Sequence, residues 1–311
     1  MTDAAGRPGS RFTIGVSLKM YFTHARTIAW ATEVAEIAAR HPATRDGLVD
    51  LFVVPSFPAL VPVRAAIGDA PVRLGAQDLA TDDLGAFTGE VSGVELAEIG
   101  CTLAEVGHAE RRALFHEDDA VVAAKTAAAL RNGVTPLLCV GEVAEAPASL
   151  AALEVTQQID AALADADESG LSGAVVVAYE PVWAIGAPVP ASSTHIIAVV
   201  AAVEQHLAGL PGRVGSRVVY GGSAGPGLLT ELGGAVRGLF LGRFAHEAAA
   251  VERILDEALA LGDGDGAGAG TGADAGADAA GGSGAGAGAG AGAAAGAAGA
   301  VPAASRTQAS S

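Results

Sequence analysis

Cysteine is scarce. Only Cys101 and Cys139 occur in 311 residues, each in a strongly apolar segment with no CxxC spacing and no histidine partner nearby. Buried free thiols are expected, and neither a structural disulfide nor a metal site is implied. Long apolar runs are also missing. Half of the residues are hydrophobic, yet charges and glycines interrupt them before any stretch reaches the roughly 18 residues of a membrane span. The opening segment MTDAAGRPGS is polar and has no apolar core of a secretory leader, so a soluble, cytoplasmic protein is expected. Basic residues are few: 18 Lys and Arg stand against 35 Asp and Glu, a formal charge of −17. That surface argues against nucleic acid or an anionic membrane as partner. It also means that an anionic substrate must be held by local cations and backbone N–H groups, not drawn in by long-range attraction.

What the chain does contain divides it in two. From Gly262 to Ala304 it is nearly all Gly and Ala with a few Asp. Ordering such a segment costs backbone entropy with no side-chain burial in return, so a disordered tail over 262–311 is expected. With a flexible start over 1–10, the folded domain spans 11–261. Eight short runs rich in β-branched residues punctuate it: Phe12–Val16, Leu51–Val54, Val72–Gly75, Leu103–Val106, Leu137–Val140, Val175–Tyr179, Arg217–Tyr220 and Gly238–Leu241. Most are too apolar for a half-exposed antiparallel sheet, which fits parallel strands buried on both faces. Amphipathic Ala/Leu/Glu-rich segments such as Thr27–Arg40, Asp119–Arg131 and Leu150–Ala164 lie between them. This α/β alternation predicts a (β/α)8 TIM barrel, with a doubly wound open sheet as the alternative.

In such a barrel the reactive groups lie just past the C-terminal ends of the strands. Those positions hold Lys19, His108, Glu110 and Glu180, with glycine turns at Gly221-Gly222 and Gly242. The set suits proton abstraction beside a carbonyl. A carboxylate serves as base, a neutral imidazole and a lysine stabilise the enediolate, and glycine turns expose N–H groups to a phosphate.

The motifs carry a resemblance. Gly107-His108-Ala109-Glu110-Arg111-Arg112 resembles the GHSERR signature of the triosephosphate isomerase family, and Ala178–Gly186 matches its AYEPVWAIG. Gly85–Glu90 (GAFTGE), Leu138–Glu142 (LCVGE) and Tyr220–Ser223 (YGGS) match three more of its motifs in the same order. The resemblance implies Glu180 as base, His108 as neutral electrophile, Lys19 as the cation beside the oxyanion, and Glu110 as the carboxylate that orients the lysine. It implies Pro181, Val182 and Trp183 as the hinge of a mobile loop, with Glu142 as partner of the Trp183 indole. Gly186, Ser223, Gly242 and Gly222 would offer N–H groups to the phosphate, and Arg112 would be a structural ion-pair partner. Thr88 would belong to a loop that completes a neighbour's site across a homodimer. No cofactor or metal is expected, and the partner is a small phosphorylated sugar. His24, His41, His116, His195, His206 and His246 match no family site.

Three departures cluster at the site. Ser17 replaces the usual Asn before the lysine, and Leu18 replaces a Trp. The loop after the sixth run reads Gly186-Ala187-Pro188-Val189-Pro190-Ala191 in place of GTGKTA, and Pro188 has no N–H to give a ligand. The last turn reads Gly242-Arg243 in place of GG, which puts a cation near the phosphate. The family's erythrulose-phosphate isomerase branch shows the Ser, the Pro-Ala lid ending and the Gly-Arg turn. The resemblance thus implies interconversion of L-erythrulose 1-phosphate and D-erythrulose 4-phosphate, the shorter Ser17 admitting one more hydroxymethyl group. The alternatives are glycolytic isomerisation of triose phosphates and a catalytically silent phosphate-binding relative.

Overall fold

The structure is a computed structural model and describes residues 9–268, with side-chain environments through Asp263. The flexible start expected over 1–10 falls outside the described residues up to position 8, as does the Gly/Ala-rich segment from 269 onward. Eight strands form: β1 (Phe12–Ser17), β2 (Val49–Val54), β3 (Val72–Ala76), β4 (Cys101–Val106), β5 (Thr135–Val140), β6 (Val176–Tyr179), β7 (Arg217–Tyr220) and β8 (Gly238–Leu241). They pair in sequence order, all parallel, and β8 closes on β1. Every apolar run marked in the sequence is a strand, and the closed barrel displaces the open-sheet alternative.

The apolar strands are explained by what lies on each side of them. One set of side chains, including Phe52, Leu103, Leu137, Val176, Val219 and Phe240, fills the barrel. The alternate set, including Ile14, Val53, Val106, Leu138 and Leu241, packs outward under the helices. A parallel sheet covered on both faces has no use for polar alternation. Both Cys101 and Cys139 are buried free thiols. Burial pushes Cys101 up to about 12 and Cys139 upward too, so both are inert at neutral pH.

The helices start where side-chain oxygens take up free N–H groups. Thr23 caps the helix His24–Arg40, and Asp118 accepts the Val121 N–H at 3.0 Å to open Asp119–Arg131. The helix expected at Leu150–Ala164 runs longer at both ends, Ala148–Glu168. The last helix, Ala248–Gly268, runs on past position 261. No proline stops it, and Gly262 lies against Leu48, where a Cβ would fall 2.8 Å from the leucine methyl. Among the described residues no helix is long and apolar enough to cross a membrane.

One ionic cluster is buried beside the helix Ala109–Phe115. Lys125 Nζ donates to both Asp78 oxygens (2.6 and 2.8 Å) and to Glu117 Oε1 (2.6 Å), and Arg111 pairs with Asp78 (2.8 Å) and Glu117 (2.7 Å). This cluster ties the segment carrying Glu110 to the barrel wall.

Candidate active site

At the C-terminal mouth of the barrel lies a cavity of ≈ 300 Å³. Lys19, His108, Glu110, Glu180, Ser17, Gly186, Ser223, Gly242 and Arg243 all line it. A larger cavity of ≈ 550 Å³ opens where β1 and β7 begin, around Thr13 and Arg217, and includes none of these residues. The chemistry therefore belongs to the smaller one.

Lys19 stands two residues past β1 with φ +45°, a left-handed conformation that costs energy for any residue with a side chain. The Gln77 amide holds this turn by donating to the Lys19 carbonyl (3.0 Å) and the Val54 carbonyl (3.1 Å). The turn aims Nζ at Glu110 Oε1, 2.6 Å away. Burial alone would lower the lysine pKa, but the Glu110 hydrogen bond and the charges of Glu110, Glu180 and Glu105 raise it, so the group is an ammonium.

His108 immediately precedes the helix Ala109–Phe115, and its Nδ1 accepts the Glu110 backbone N–H at 3.1 Å. An Nδ1 that accepts leaves the ring proton on Nε2. Burial, helped by the charges of Lys19 and Arg111 and opposed by Glu110, lowers the imidazole pKa to about 4. The ring is neutral, so its 3.4 Å approach to Glu180 Oε2 is an N–H beside a carboxyl and not an ion pair.

Glu180 follows β6 directly and is 6% exposed. Burial pushes its carboxyl up to about 7, with Lys19 pulling it back and Glu110 adding to the rise. Two glycines make this placement possible. A Cβ on Gly141 would collide with the Glu180 carbonyl, and one on Gly221 would fall 2.6 Å from its Oε1. The sequence placed the Gly221-Gly222 turn at the mouth and named Gly222 for the phosphate. Gly221 lines the cavity, whereas Gly222 lies behind it against the Tyr220 hydroxyl and Pro181 Cδ.

Val182–Ala184 form a single 3-10 turn after Pro181, and the Trp183 indole donates to Glu142 Oε1 at 2.9 Å, as the motif implied. His195, expected to match no site, also joins this group: its Nε2 lies 2.9 Å from the Tyr179 hydroxyl, which donates to Glu142 Oε1. Ser223, at φ +59°, donates its hydroxyl to the Ala184 (2.9 Å) and Ala187 (3.0 Å) carbonyls. Arg243 donates to the Gly186 carbonyl at 2.7 Å. Both side chains clamp the loop from below, a task beyond the phosphate contacts expected of them. Arg112 is structural, donating to Gly107 O (3.1 Å) and pairing with Asp119 (2.8 Å). Thr88 sits on an exposed loop away from the cavity. Gln77 and Glu105 were missed. Gln77 was discoverable, since it directly follows a strand end.

Barrel and site together define an isomerase, an enzyme that moves a proton between neighbouring carbons of a phosphorylated sugar. Pairing a carboxylate base with a neutral histidine is the established pattern of triosephosphate isomerase itself. The triosephosphate isomerase family model matches residues 12–258, and the chain belongs to that family. It is 51% identical over 251 residues to an L-erythrulose-1-phosphate isomerase of Pectobacterium atrosepticum, covering 81% of this chain and 97% of the relative. To a triosephosphate isomerase of Mycobacterium avium it is 41% identical over 220 residues, 69% of this chain and 83% of that one. The crystal structure of triosephosphate isomerase from Bartonella henselae superposes with a TM-score of 0.67 at 29% identity, covering 79% of this chain and 98% of the other.

Proposed function

We propose that this protein interconverts L-erythrulose 1-phosphate and D-erythrulose 4-phosphate by a proton shuttle through an enediolate. The observation that carries the reading is its 51% identity over nearly the full length of an L-erythrulose-1-phosphate isomerase. Ser17 at the cavity wall supports it, since a short side chain beside Lys19 leaves room for a hydroxymethyl group that a triose lacks.

Glu180 takes the proton from the carbon next to the carbonyl, and the electron pair moves onto the carbonyl oxygen. His108 Nε2–H donates to that oxygen, and the Lys19 ammonium, oriented by Glu110, stabilises the negative charge. With the hydroxyl proton of the first carbon passed by way of His108 to the former carbonyl oxygen, the Glu180 carboxylic acid returns its proton to the former carbonyl carbon, and the first carbon becomes the new carbonyl. Gly186, Ser223 and Gly242 present backbone to the phosphate, and Arg243 adds the nearby cation. Pro181, Val182 and Trp183 act as the hinge that closes the loop and excludes water. Proton transfer between adjacent carbons needs no cofactor. The active species is a homodimer in which the Thr88 loop reaches the neighbouring site.

The 41% identity to a triosephosphate isomerase favours triose phosphates as the second reading. Comparing kcat/KM on L-erythrulose 1-phosphate and on glyceraldehyde 3-phosphate decides between them. A strong preference for the tetrulose is expected. A strong preference for the triose would make Ser17, Pro188 and Arg243 tolerated variation, and silence on both would point to a non-catalytic relative.

A further inference from the structure

Glu105 takes no part in the proton shuttle, yet it is a buried acid whose charge is coupled to Glu180 and Lys19. It lies on β4 two residues after Leu103, which belongs to the interior cluster, so its side chain also points inward. It is only 4% exposed, and Leu103 before it on the same face belongs to an apolar cluster of Phe, Leu, Val, Ala and Cys139. An acid there is costly, and an apolar residue would pack at lower cost. Burial pushes its carboxyl up to about 8, with the Glu180 charge adding and Lys19 opposing, so near neutral pH it mostly keeps its proton.

Its neighbour is the second oddity. The Ser17 hydroxyl lies beside the Glu105 carboxyl, near enough to act on its proton affinity but short of a hydrogen bond. Ser17 Oγ and Glu105 Oε1 are both buried without a hydrogen-bond partner among the described residues. Ser17 also lines the catalytic cavity, whereas Glu105 sits behind it. Two adjacent buried polar groups left unpaired beside a substrate cavity are what a substrate hydroxyl would satisfy.

We propose that Glu105 is a positioning residue for substrate selection: once the sugar is bound, its carboxylic acid closes the gap and donates to Ser17 Oγ, which turns the Ser17 O–H toward the terminal hydroxymethyl of the sugar. The inference rests on the tetrulose phosphate reading. Its consequence is selectivity, because a site built around a hydroxyl penalises a substrate that lacks it by leaving buried groups unpaired. A triose phosphate lacks that hydroxymethyl.

The test is a double-mutant cycle on Ser17→Ala and Glu105→Leu, with Glu105→Gln as the conservative variant, measuring kcat and KM on both substrates. Glu105→Leu is expected to lower kcat/KM for L-erythrulose 1-phosphate by about tenfold, the scale of one lost hydrogen bond. The triose value should change by less than about threefold, and melting should stay at or above that of the wild type, since an unpaired buried acid has been replaced by an apolar group. Glu105→Gln, whose amide still donates, should recover most of the preference. In the Ser17→Ala background, Glu105→Leu should add little. If both substrates slow equally, or if the Glu105 effect is the same with and without Ser17, the residue only packs and the proposal falls. A wild-type enzyme that prefers the triose overturns the substrate reading itself, an outcome visible before any variant is made.

Discussion

Glu180→Asp is expected to reduce kcat by roughly 10²-fold or more, because withdrawing the carboxylate by about 1 Å takes it out of attack distance. The main chain has little freedom to follow. Gly141 lies directly against the Glu180 carbonyl, and the Glu180 N–H donates to Val140 O at 2.7 Å. The shorter side chain must therefore leave a gap. KM should change far less, since the phosphate contacts proposed for Gly186, Ser223 and Gly242 are left unaltered. The wild-type pH profile tests the same assignment. Burial raises the Glu180 carboxyl to about 7, and a base works only when ionised. Thus kcat/KM should climb as pH rises through about 7 and level off above it. His108, lowered to about 4, is already neutral throughout that range and adds no second limb. Wild-type kcat in the Asp variant would remove Glu180 from the role of base.

Lys125→Met is expected to destabilise the fold by about 3–5 kcal/mol at neutral pH, the usual cost of removing one partner from a buried ion pair. Lys125 is 5% exposed, Asp78 4% and Glu117 7%. Without the ammonium, two buried carboxyl groups share only Arg111. Burial already raises the Asp78 pKa, Glu117 adds to the rise, and Lys125 and Arg111 oppose it. Removing Lys125 lifts it further. A carboxyl whose folded pKa exceeds its unfolded one supports the fold while protonated and loses that support as pH rises through the folded pKa. The defect should therefore shrink toward acid pH. Denaturant unfolding at several pH values measures it, and a change below about 1 kcal/mol, the range of an exposed pair, would show that the cluster contributes little. Because Arg111 belongs to this cluster and follows Glu110, the variant should also loosen the grip on Lys19.

The strands were legible because burial on both faces leaves a strong mark: an uninterrupted apolar run as short as Val175–Tyr179 suits a covered parallel strand far better than a half-exposed one. Helix ends were less so. The final helix continues past Leu261 because Gly262 packs on Leu48, a close approach that a Gly/Ala/Asp sequence does not announce. At the site, Lys19, His108, Glu110 and Glu180 were legible as charged or titrating residues just past strand ends. Glu105 was not, since it sits inside the run Cys101–Val106, where one acid among apolar residues reads as an interruption and gives no sign of which way it points. The loop clamps were hidden for another reason. Ser223 and Arg243 were read as phosphate neighbours from their motif positions, while their side-chain hydrogen bonds go to the Ala184, Ala187 and Gly186 carbonyls, contacts that only the fold creates.

A proton shuttle on a carbon acid is tested most directly by isomerising L-erythrulose 1-phosphate in D2O. Glu180 exchanges its carried proton with solvent, so NMR should show deuterium entering the carbon that receives the proton. With repeated turnover, both exchanging carbons of the phosphosugar pool should become labelled. Conversion that reaches equilibrium with no carbon-bound deuterium would mean that hydrogen passes between the carbons without a solvent-exchangeable base, and would contradict the role given to Glu180.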